Sequence, residues 1–111
     1  MTVNVKVLIP AKTAENAQTT QYTATSVTAI IDKMTATNYN TAAATISVNL
    51  VTGATTASSS NLIVKTKTLQ AGESYTFPEI VGAAMEPGGF ISTLAGTASA
   101  INIRASGREI S

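Results

Sequence analysis

Apolar and polar side chains alternate one by one along much of this chain, and that period of two limits its fold more than any other feature. Val3, Val5 and Val7 share one face of a first strand, with Thr2, Asn4 and Lys6 on the other. Ile46, Val48 and Leu50 repeat the pattern and face inwards, with Ser47 and Asn49 outwards. Successive side chains of a strand point to opposite faces, so each apolar set defines one side of a sheet. No stretch carries a long helical period. The chain reads as all-β.

The strands are separated by clear punctuation. Residues 11–19 lack apolar period and read as an extended arm or loop. A short strand at 22–24 precedes a longer one, in which Thr28, Ile30, Asp32 and Met34 alternate with Ala29, Ile31 and Lys33. Asn38, Tyr39 and Asn40 form a turn, because Asn bonds to its own main chain. The polar stretch 52–60, TGATTASSS, is expected to be an exposed, mobile loop between the strands 45–51 and 61–69. Ala71, Gly72 and Glu73 turn the chain into 74–77, with Tyr75 and Phe77 on one face. Pro78 starts one short helical turn over 79–85. Glu86-Pro87-Gly88-Gly89 is the strongest turn signal, and 90–94 and 100–105 are expected to pair before a turn or bulge at 106–108. Strands at intervals of about ten residues indicate an antiparallel sandwich or barrel.

Composition narrows the chemistry. There is no His and no Cys, Asp32 is the only aspartate, and Thr and Ala are abundant. A nucleophile needs a neighbouring base, and the bases here, Asp32, five Glu and five Lys, are scattered singly with no S-x-x-K sequence. Glu73, Glu79 and Glu86 recur at intervals that would let carboxylates approach, but each has a structural reading as a turn or first-turn residue. Asp32 is read as a strand-surface charge paired across strands with Lys or Arg; calcium would need more oxygen ligands than any loop here offers. The Pro-Gly-Gly turn lacks the following helix that a phosphate site requires. No catalytic, cofactor-binding or metal-binding residues are assigned, and the chain is not read as an enzyme.

Net charge is +1 without a basic run, which argues against nucleic-acid binding. No apolar run approaches a membrane span, and residues 7–10 after Lys6 are too few for the apolar core of a signal peptide. Charged residues are 12% of the chain, about half the usual share, so part of its surface is expected to be covered in the working state.

The stretch IDKMTATN from Ile31, the strand 45–51, the run 61–69 followed by AGESYTFPEIVG, and the ending GGFISTLAGTASAINIRASGREIS together resemble a family of small tailed-bacteriophage structural proteins. The resemblance covers roughly residues 20–111. It implies a virion component with an immunoglobulin-like β-sandwich or related small barrel, assembled in the host cytoplasm. Residues 1–19, which lack core periodicity after one strand, are read as an N-terminal strand and partner-binding arm, and 20–111 as one sandwich domain. The expected role is a capsid decoration or cement protein that bridges copies of the major capsid protein, or meets other virion proteins, in a symmetric or homo-oligomeric assembly. Two alternatives remain. One is a neck, tail or fibre-base component; the other is a host-surface carbohydrate-binding module using Tyr39 and the 52–60 loop.

Overall fold

The computed structural model describes all 111 residues as two antiparallel sheets packed face to face. The first contains β1 (Val3–Thr13), β3 (Thr28–Asn38), β6 (Ser74–Tyr75), β7 (Ala84–Met85) and β9 (Ile101–Ile110). β9 lies between β1 and β3, and the short β6 and β7 share the far edge of β3. The second contains β2 (Thr19–Thr23), β4 (Ala44–Val51), β5 (Leu62–Leu69) and β8 (Phe90–Ala95) in the order β2-β8-β4-β5.

The β-sandwich expected from the alternation is present. Its strand order places the first strand beside the last and the second beside the last but one, which is the interleaving of a jelly roll. An immunoglobulin sheet instead sets its first strand beside its second. The expected pair of 90–94 with 100–105 does not form, because the connection over 96–100 crosses between sheets. β8 pairs with β2 and β4, and β9 with β1 and β3.

Residues 11–13, expected in a free arm, continue β1: Lys12 lies opposite Ile103 and Thr13 opposite Asn102. Ladder hydrogen bonds satisfy the backbone there without help from an apolar repeat. Ala14 is buried and its N–H reaches Ile101 O at 2.8 Å, so the segment 1–19 belongs to the sandwich.

Isoleucine and alanine dominate the core. Ala14, Ala24, Ala29, Ala36, Ala44, Ala95, Ala100 and Ala105 supply eight of its 23 side chains, while Ile9, Ile31, Ile46, Ile80, Ile91, Ile101 and Ile103 fill the volume. Each isoleucine contributes roughly 1.5–3 kcal/mol through burial. Of the five aromatics only Tyr22 and Phe77 are buried, with Tyr75 packed edge-on to Phe77 at 4.8 Å between ring centroids.

Three irregularities reassign side chains. A register shift between Val7 and Ile9 admits both Leu8 and Ile9 to the core and leaves Val3, Val5 and Val7 outside. A second, between Ile31 and Lys33, leaves Asp32 unpaired in the ladder and lets Ile31 and Met34 point inwards together. The third lies in β5, where Thr66 takes φ +43° and donates its N–H to Ser47 Oγ at 2.8 Å.

Turn chemistry follows the sequence at Asn38, whose Oδ1 accepts from Asn40 N at 2.9 Å. The Pro-Gly-Gly turn closes with Gly89 N donating to Glu86 O at 2.9 Å. The short helical turn expected over 79–85 is confined to its start, where Ile80 N and Val81 N both reach Phe77 O; a second turn, Ala83 N to Ile80 O, follows before β7, and Ile80 is delivered to the core. At 106–108 no turn interrupts β9: Gly107 stays in the ladder opposite Ile31 because its missing Cβ leaves room for Ile30 O.

Candidate functional site

Exposed large apolar residues cluster along β1, while Tyr39, Ile63 and Val81 are exposed singly elsewhere. Val3, Val5 and Val7 are 48%, 86% and 42% exposed, and Met1 before them is almost bare. β1 is an edge strand, paired with β9 on one side only. Thr2 and Ser111 exchange both backbone hydrogen bonds at 3.0 Å. Such pairs alternate along an antiparallel ladder, so Asn4 and Lys6 also turn their backbone towards β9. Val3, Val5 and Val7 therefore direct their N–H and C=O groups out of the open edge. The same three residues carry the apolar side chains and the free backbone groups. Natural edges are usually blunted by proline or lysine. Pro10 and Lys12 do so further along β1, whereas Lys6 is drawn to Glu109 at 3.3 Å.

A second surface feature lies on the outer side of the other sheet. Ser47 and Asn49, expected to face outwards, are buried beneath Gln18 and the loop over 52–61, and Ser92 is buried with them. Gln18 Nε2 donates to Ser92 Oγ at 2.7 Å, and Asn49 Nδ2 donates to Ser58 O at 2.9 Å and Asn61 Oδ1 at 2.7 Å. Ser58 caps the single 3-10 turn Ser59–Asn61, while Asn61 Nδ2 holds Thr56 O at 2.8 Å. The loop expected to be mobile is thus fastened by amide side chains. A shallow groove of about 330 Å³ runs along it, lined by Ser47, Asn49, Leu62, Lys65, Thr66 and Leu94 among others. Every buried side-chain nitrogen and oxygen already has a partner, so the network beneath the groove is closed on itself.

The charged and phenolic groups are engaged locally. Arg108 grips Asp32 with Nε at 3.0 Å from Oδ2 and Nη2 at 2.9 Å from Oδ1, the cross-strand partner expected for this aspartate. Gln21, donating at 2.9 Å, and then Lys12 hold the Glu15 carboxyl down at about 2. Tyr75 donates to Glu79 at 2.6 Å, which pushes the phenol up to about 12 and lowers the carboxyl. Lys67 sits 4.8 Å from the centre of the same ring. Glu73 accepts from Gln70 N at 2.7 Å and closes its turn. Glu86 belongs to the Pro-Gly-Gly turn at the β8 end, while Glu73 lies beside Asn38 at the other. No three acidic side chains gather anywhere.

Tyr39 is half exposed, with its hydroxyl 3.4 Å from Thr13 Oγ1. It follows β3 and lies at the start of β4, whereas the 52–60 loop leaves the end of β4. An eight-residue strand, roughly 25 Å long, separates the two, so they do not form one site. Signals for the β1 edge were present in the sequence as the valine repeat, but that repeat reads equally well as a buried face.

No family model, curated protein or solved structure matches this chain.

Proposed function

We propose that this chain is a non-enzymatic structural protein of a tailed-bacteriophage particle, acting as a decoration or cement protein on the capsid. The observation that carries this reading is the open β1 edge, where valine side chains and unpaired backbone groups coincide on Val3, Val5 and Val7. A strand edge of that kind is a template for pairing with another chain. The low charge of the chain supports the same reading, because few ions must be stripped of water when surfaces close. Jelly rolls also build viral capsid domains, an analogy of fold that adds support without fixing a role. Many such contacts, repeated by symmetry over a shell of major capsid protein, would stabilise it by mass action.

The test is to mix the purified chain with purified particles and measure co-sedimentation, together with copy number in virions by quantitative mass spectrometry. A decoration protein is expected at a copy number proportional to the capsid subunits. A few copies per particle would move the protein to the neck, tail or fibre base. No affinity for any virion component would remove the reading.

A further inference from the structure

We infer that the occupant of the β1 edge is a second copy of this chain, joined antiparallel about a two-fold axis through Val5. The inference rests on reading that edge as an assembly surface, and adds the partner and the register. A two-fold contact must be self-complementary: each residue meets its own mirror position. Residues 3–7 read Val-Asn-Val-Lys-Val, which is nearly the same in both directions. Antiparallel pairing about Val5 sets Val5 against Val5 of the other copy and Val3 against its Val7. The residues whose backbone points outwards are these same valines. Every outward N–H and C=O on the three then meets a partner, and none is left over.

Side chains agree with this register. Valines face valines across the seam, a favourable cross-strand pairing of β-branched residues. Lys6 falls opposite Asn4 of the other copy instead of opposite Lys6, and each Lys6 is already balanced by Glu109 at 3.3 Å. A one-residue slip would set the outward groups of one copy against Asn4 and Lys6 of the other, whose backbone groups turn towards β9, losing the ladder. Pro10 offers no N–H and ends the usable edge, which restricts the seam to the stretch before it. The result is one continuous sheet spanning two sandwiches.

The experiment is sedimentation equilibrium of the full chain beside Val5→Pro, Val5→Lys and Val5→Glu. The Val5 N–H is not used inside the sandwich, so proline there removes only the outward donor and a thermal melt is expected to be little changed. The wild type is expected to dimerise, and Val5→Pro to weaken the dimer by roughly tenfold or more. Val5→Lys and Val5→Glu, each placing like charges at the axis, are expected to be monomers alone and to form a heterodimer when mixed. That mixed rescue keeps the test valid even if the proline variant unfolds. A strictly monomeric wild type, or a dimer indifferent to all three changes, overturns the inference. A monomer that binds particles through this edge, and loses them in Val5→Pro, overturns the second copy while sparing the assembly reading. A Val5-dependent dimer without particle affinity does the reverse.

Discussion

The phenol of Tyr22, in one sheet, donates a hydrogen bond to the carboxylate of Glu109, in the other. Lys6 reaches the same carboxylate from β1, so a polar trio spans the gap between the sheets where the apolar core ends. Burial and then the bond to Glu109 raise the Tyr22 pKa, while Tyr22 and then Lys6 lower that of Glu109. Tyr22→Phe is expected to cost about 1.5–3 kcal/mol at neutral pH, the range for a hydrogen bond to a charged group.

The pH dependence of that loss has a defined sign. Glu109 titrates lower in the folded chain than in the unfolded one, so its contribution is full above the ordinary carboxylate range and fades as pH falls through the folded value. Tyr22 is raised, so its contribution is full below about pH 10 and fades as pH climbs through its folded value. Denaturant melts of wild type and Tyr22→Phe from neutral to acid pH should show the gap narrowing on the acid side. A gap that widens in acid would contradict the ionised pairing.

Gly107→Ala is expected to be among the most damaging single changes. An added Cβ would lie 2.0 Å from Ile30 O and 3.0 Å from the Leu8 side chain, forcing β9 away from β3 in the middle of a sheet. The expected loss is about 3 kcal/mol or more, read as a lower urea midpoint. Gly72→Ala is the control: φ is +77° but nothing lies within 4 Å, so the cost should stay near about 1 kcal/mol.

Asn38 is fully buried and ties the sheets together at the opposite end. Its Nδ2 donates to Ala42 O and to Leu69 O, both at 2.9 Å, and its own N–H reaches Glu73 O at 2.9 Å. Asn38→Ala orphans two carbonyls and a turn donor, with an expected cost of about 2–4 kcal/mol in equilibrium unfolding. A loss below about 0.5 kcal/mol would mean that water replaces the amide.

Asn49→Ala should act locally. It removes the anchors to Ser58 and Asn61, and the expected result is faster amide exchange across residues 52–61 with little change in the core strands. Unchanged exchange in the loop would show that its own capping bonds suffice.

Much of the strand content was legible because a two-residue period leaves few alternatives. The turns at Asn38 and at Glu86-Pro87-Gly88-Gly89 were legible for a local reason: amide and proline chemistry acts within a few residues. The face of β1 was not, because the shift near Leu8 reverses the assignment of every residue before it. Asp32 hid a second such shift, and its partner Arg108 lies too far along the chain to be identified by spacing. The separation of β8 from β9 into different sheets was also invisible, since two neighbouring strands with a short connection read as a hairpin. Ser47 and Asn49 looked like solvent-facing positions because the loop that covers them carries no apolar signal.

β9 sits at the centre of a sheet, and Val3 cannot meet Ile110 until all the residues between them have been made. During synthesis the valine strand therefore waits with both of its edges bare. Closing so long a loop is slow, which makes the nascent chain, more than the mature sandwich, the stage at which unwanted strand pairing has to be avoided.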